Sequence, residues 1–188
     1  KPDDLCYDPG KGNRKDAEWA FIQVSDPNIP LALAKLFSTG DGCVEQTFGI
    51  AAEELLVITP LNLGECGREN LNRVVQKAYH ESRGRRVPEY KKEVKADKYG
   101  KEREVSQRDQ FVVGDRVIWC KNDRILQLVN GDTGVVKAVG KDQVVVMFDG
   151  HGEKTVDASI NLKLAWVLTC HKAQGSQYPK VLIIQSGA

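Results

Sequence analysis

Between Leu168 and Pro179 the chain reads Leu-Thr-Cys-His-Lys-Ala-Gln-Gly-Ser-Gln-Tyr-Pro, which gathers hydroxyls, an imidazole, an ammonium and two carboxamides around one glycine. Such a set suits phosphate oxygens. Lys172 supplies charge, while Thr169, Ser176, Gln174 and Gln177 supply directed hydrogen bonds. Gly175 lets a ligand come close to the backbone. The pair Cys170-His171 also admits a thiol nucleophile, but that chemistry needs the base within hydrogen-bond reach of the sulfur. Consecutive residues on an extended chain point to opposite faces, so this reading is set aside. A histidine in a loop is ordinarily a structural hydrogen-bonder; the density of donors around His171 is what singles the segment out.

Other chemistries are excluded more simply. Three histidines, His80, His151 and His171, lie too far apart in sequence to suggest a metal cluster. Five cysteines occur without C-x-x-C spacing, which argues for reduced thiols, a cytoplasmic setting and no zinc. No G-x-x-x-x-G-K-[ST] phosphate loop occurs, and no acidic pair follows a strand as a magnesium-binding element would. A formal charge of +1 offers no general attraction for nucleic acid, so any such role must rest on local placement. No apolar run approaches the ~20 residues of a membrane helix, and the abrupt opening at Lys1 reads as a domain taken from a longer protein.

The elements that must position the cluster follow from pattern. Residues 1–16 are rich in Asp, Pro, Gly and Lys and read as a lead-in loop. Trp19 to Val24 is a short apolar strand, and Ser25-Asp26-Pro27 caps a helix from about Ile29 to Phe37. Leu55 to Ile58 is a strand covered on both faces. It runs through Thr59-Pro60 and a glycine-bearing loop into a helix from about Glu69 to Tyr79, with Leu71, Val74, Val75 and Ala78 on its apolar side. This rhythm predicts a layered α/β domain with a largely parallel sheet, in which Val181 to Ile184 supplies another strand beyond the polar cluster. Ligands bind such sheets at the carboxyl ends of the strands.

Residues 82–110 change character. Arg83, Arg85, Arg86, Lys91, Lys92, Lys95, Lys98, Lys101 and Arg103 alternate with acids and almost no aliphatics. The segment reads as a solvated connection, or else as an arm that contacts phosphates. From Phe111 to about Asn161, short strands punctuated by Gly114-Asp115, Asn130-Gly131 and Asp149-Gly150 predict a small antiparallel barrel that interrupts the α/β domain.

The segment Thr169 to Pro179 resembles motif V of superfamily-1 DNA helicases, and most closely that of the RecD type, which reads T-x-H-K-S-Q-G-S-E-F-P before an apolar strand. Thr59-Pro60 with Gly64, Gly67, Leu71-Asn72 and Gln76 is similar to the family's motif IV region. Gly114-Asp115-Arg116-Val117 and Asn130-Gly131-Asp132-Thr133-Gly134 resemble signatures of the SH3-like domain inserted into the second RecA-like domain. Together these matches span roughly residues 16 to 185, in the family's order. Two positions depart from it. Gln177 stands where the family carries Glu, and Asn62-Leu63 stand where a basic residue is usual.

The resemblance implies an α/β fold of the P-loop-NTPase (RecA-like) class, here without its phosphate loop and with a small all-β SH3-like barrel inserted. The implied divisions are a lead-in at 1–16, the second motor domain at 17–81 and 162–188, a charged connection at 82–110 and the barrel at 111–161. It further implies that Thr59, Thr169, His171 and Lys172 face single-stranded DNA, and that Gln174, Gly175 and Gln177 face nucleotide. No catalytic residue and no metal ligand is assigned. ATP and Mg2+ would be cofactors of a longer protein that supplies a first RecA-like motor domain, with other nuclease-helicase subunits as further partners and no membrane. The family's last motif, with its arginine finger, is expected beyond Ala188, so this chain alone is expected not to hydrolyse ATP. Two rival readings remain: a nucleic-acid-binding module without motor function, and a protein-docking platform, both built on the barrel.

Overall fold

A computed structural model describes residues 6–8, 21–23, 25–89, 94–96, 102–104, 110–158, 161–174 and 178–185. The chain divides into two compact units, residues 1–86 with 166–188, and residues 87–165.

The first unit opens with β1 (Cys6–Asp8) and β2 (Phe21–Gln23), which pair antiparallel with Tyr7 opposite Ile22. Two expectations change here. The lead-in contributes a strand where a loop was expected, and β2 pairs with it rather than joining a parallel sheet. Aromatic and apolar residues favour extended chain when a partner strand lies alongside, even amid turn-forming neighbours. Trp19, Ala20 and Val24 lie outside the described residues.

A short 3-10 turn at Asp26–Asn28 leads into α1 (Ile29–Phe37), which carries proline in its first turn, where no N–H is needed. Ser25 stands at the N-cap of that 3-10 turn without a side-chain cap bond; its Oγ accepts from Asn28 Nδ2 at 2.8 Å. The short helix α2 (Val44–Phe48), which the sequence pattern did not announce, ends at Gly49. β3 (Leu55–Thr59) follows, then α3 (Arg68–Glu81), against which α1 packs.

The second unit contains a pair of short antiparallel strands, β4 (Val94–Ala96) and β5 (Glu102–Glu104), within the segment that had read as an irregular connection. Lys91, Lys92, Lys98 and Lys101 lie outside the described residues. β6 (Arg116–Trp119), β7 (Thr133–Val139), β8 (Gln143–Phe148), β9 (Gly152–Asp157) and β10 (Leu162–Leu164) form a five-stranded antiparallel sheet in the order β10-β6-β7-β8-β9. Among the described residues no pairing joins β10 to β9. The sheet's core includes Val117, Trp119, Val136, Val144, Val146, Phe148, Val156, Leu162 and Leu164 from alternating strand positions, with Leu128 added from the loop between β6 and β7. The Asn130-Gly131 turn uses the one residue type that adopts its backbone without strain, Gly131 having φ +112°. Asp132 Oδ2 then closes the turn by accepting from the Val129 N–H at 2.7 Å.

The chain returns to the first unit at Trp166. β11 (Val167–Thr169), α4 (Cys170–Ala173) and β12 (Lys180–Ile183) complete it. β11 and β12 flank β3, and all three strands are parallel. Trp166 is fully buried, its ring 4.6 Å from that of Tyr79 and 6.0 Å from that of Phe37. Each such aromatic pair adds about 0.5–1.5 kcal/mol beyond the burial itself. The tryptophan thereby anchors the start of β11 to α1 and α3.

A candidate nucleic-acid interface at the carboxyl edge of the parallel sheet

Thr59 ends β3 and Thr169 ends β11, and the parallel register sets them directly opposite each other. Residues separated by the whole second unit in sequence thus meet at the carboxyl edge, where α/β sheets bind ligands. Beyond Thr59 lies the loop at residues 60–67, and beyond Thr169 lies the helical turn α4.

The loop is tied internally. Thr59 Oγ1 donates to the Cys66 carbonyl at 2.8 Å and accepts from the Leu61 N–H at 3.3 Å. The Arg68 N–H donates to the Leu61 carbonyl at 2.8 Å, and the Glu69 N–H to the Asn62 carbonyl at 3.2 Å, so α3 starts against the loop. Gly67 stands at the tightest crossing, where a Cβ would lie 2.4 Å from the carbonyl group of Leu63. The Cys66 thiol is pushed above its usual range, first by burial and then by the carboxylates of Asp26 and Glu65. It is therefore a poor nucleophile at neutral pH.

Thr59 was expected to touch DNA. Its side chain is fully buried, with its hydroxyl committed to the loop. Thr169 is half-buried and leads into α4, where His171 is exposed and Lys172 half-buried. Cys170 and His171 sit on a helical turn rather than on extended chain, so their side chains diverge by about 100° instead of pointing to opposite faces. Gln174, exposed, returns the backbone to extended geometry at φ −61°, ψ 131°. Gly175 and Gln177 lie outside the described residues. Arg83, part of the suggested phosphate-contacting arm, has structural work instead. Its guanidinium lies 4.0 Å from the centre of the Tyr79 ring and 2.7 Å from the Glu45 carboxylate.

The residue that holds this edge together is one that the sequence marks only through the motif IV resemblance. Asn72, on α3, is almost fully buried, and its carboxamide engages both polar groups of Val167. The Val167 N–H donates to Asn72 Oδ1 at 3.0 Å, and Asn72 Nδ2 donates to the Val167 carbonyl at 2.7 Å. Asn72 belongs to a buried stripe with Arg68, Gln76 and His80, four residues apart along the helix. The motif IV resemblance marks Asn72 and Gln76, whereas apolar periodicity alone passes over this stripe. Val74 and Ala78 are only half-buried.

Among the described residues no group of three or more His, Cys, Asp or Glu could hold a metal ion, and no helix is long and apolar enough to cross a membrane. No protein-family profile matches the chain. The ATP-dependent RecD2 DNA helicase of Deinococcus radiodurans is 31% identical over 128 residues, which is 67% of this chain and 15% of that protein. The chain thus spans about a seventh of the length of this curated relative. Among solved structures, the Pif1 helicase from Bacteroides in complex with ADP-AlF3 and single-stranded DNA matches 88% of this chain and 41% of its own, with a TM-score of 0.50 and 20% identity. That likeness speaks to fold. The sequence similarity to RecD2 makes this chain a member of the superfamily-1 helicases, RecD-like in kind.

Proposed function

We propose that this chain is part of an ATP-dependent DNA helicase motor, forming much of its second RecA-like domain, with the five-stranded unit as an SH3-like insertion. The observation that carries this reading is the pairing of Thr169 with Thr59 at the carboxyl edge of a parallel sheet, which sets the Thr169–Gln174 turn beside the loop at 60–67. In this reading Thr169, His171 and Lys172 hold the phosphates of single-stranded DNA. Backbone contacts of this kind suit a motor that must move without regard to sequence. Thr59 acts indirectly, by fixing the loop.

Gln174, Gly175 and Gln177 form the nucleotide-facing side. Gln174 is exposed at the end of the turn, and its carboxamide can both donate to and accept from a nucleotide. The chain has no phosphate-loop lysine for the β- and γ-phosphates. ATP and Mg2+ are therefore held chiefly by a partner motor domain, and this chain by itself does not turn over ATP. Movement in the 5′ to 3′ direction, a role in DNA repair or recombination beside nuclease subunits, and a cytoplasmic setting complete the proposal.

The test is binding of a fluorescently labelled oligothymidylate, followed by anisotropy across a range of salt concentrations. The wild-type chain binds at low salt, and Lys172→Ala weakens binding. Because the variant neutralises one phosphate fewer, the slope of log affinity against log salt becomes shallower by about 0.7. No binding at low salt, or an unchanged slope in Lys172→Ala, overturns the assignment.

A further inference from the structure

We infer that Asn72 is a positioning residue, which holds the Thr169–Gln174 turn in register with the loop at 60–67 and so couples the two halves of the interface. The inference rests on the reading of that turn as a DNA contact. Among the described residues β11 is an edge strand, with β3 on one side only, yet Val167 is fully buried. Its N–H and C=O therefore need partners that no neighbouring strand supplies. The Asn72 carboxamide stands where the peptide group of such a strand would be, accepting from the Val167 N–H at 3.0 Å and donating to its carbonyl at 2.7 Å. Few side chains can do both at that reach. Aspartate accepts but cannot donate, and glutamine is one methylene too long.

These bonds close a ring. Thr59 ties β3 to the loop through the Cys66 carbonyl, and the loop carries the first turn of α3 through the Leu61 and Asn62 carbonyls. Asn72 Nδ2 also donates to the Arg68 carbonyl at 2.9 Å, one turn earlier on α3. From Asn72 the path crosses to Val167, and two residues later Thr169 lies opposite Thr59 again. A displacement of the loop moves the start of α3 and, through one buried carboxamide, the strand that carries the turn. A purely apolar side chain at position 72 would let β11 slide.

The experiment combines hydrogen exchange with the anisotropy assay on the wild-type chain and on Asn72→Ala and Asn72→Asp. With the clamp removed, amides from Val167 to Gln174 exchange about tenfold faster, while β3 and α1 keep their protection. Affinity for the oligothymidylate falls about tenfold with the salt slope unchanged, because Lys172 keeps its charge. If the alanine variant does not fold, Asn72→Asp, which keeps the acceptor and loses the donor at the same reach, carries the test. Exchange that quickens uniformly through the unit marks Asn72 as a general stabiliser and overturns the inference. So does faster exchange in the turn with unaltered affinity. A wild-type chain that fails to bind at all sinks the DNA reading instead, while the exchange arm still decides whether Asn72 orders the turn.

Discussion

At the scale of single residues, burial separates side chains open to a ligand from side chains committed to the fold. Thr59 and Thr169 sit side by side, yet one is sealed and the other half-buried. The same sorting applies to Tyr79, beneath the start of β11. Its hydroxyl donates to the Glu53 carboxylate, and its pKa is pushed up to about 12, by burial first and then by that carboxylate, against smaller opposing effects of Arg83 and Arg85. The folded state therefore binds this proton more tightly than the unfolded chain does. The resulting stabilisation is complete below the ordinary tyrosine pKa of about 10 and is lost as the pH rises through about 12. Phenolate absorbance should show Tyr79 ionising late. Glu53→Gln should bring that step to lower pH, and an unmoved step would mean that the carboxylate does not set it.

At the scale of elements, the sheet and its loops depend on close backbone approach as much as on apolar faces. Gly67 illustrates this, because a methyl group there collides with the Leu63 main chain rather than with a movable side chain. Gly67→Ala should cost about 1–3 kcal/mol in urea unfolding, the usual range for overpacking. A loss below that range would show that the loop can shift freely against α3. The glycine and the T-P before it were readable in the sequence, as were β3, α1, α3 and the strands bounded by Asn130-Gly131 and Asp149-Gly150. In each, local pattern and tertiary burial agree. The rest was not readable for identifiable reasons. Cys6–Asp8 is extended by pairing with a distant strand, which no local window contains. Apolar periodicity counts the polar residues on the buried face of α3 as surface, so Asn72 and Gln76 were legible only through the motif IV resemblance and His80 not at all. Arg83 looked like a free cation because its partners, Glu45 and Tyr79, lie on other turns of the chain.

At the scale of the whole molecule, the question is whether the interface belongs to the first unit alone or needs the second. Both ends of the stretch from 87 to 165 are rooted on the same turn of α3. The Arg85 N–H donates to the His80 carbonyl at 2.9 Å, and the Trp166 ring lies 6.3 Å from the His80 ring. A short glycine-serine linker can therefore join Arg86 to Trp166 without pulling β11 from its place. Shortening a connection also favours the folded state, each halving of its length saving about 0.6 kcal/mol of loop-closure entropy. The shortened chain should unfold cooperatively with Trp166 still shielded from quenchers, and it should retain the oligothymidylate affinity and salt slope of the parent. Thr59, Asn72, Thr169, His171 and Lys172 all remain in it, so nothing the proposed interface requires has been removed. A shortened chain that folds but no longer binds would place the DNA contacts on the five-stranded unit, and the chain would then bind nucleic acid as an insertion-borne module rather than through the edge of its parallel sheet.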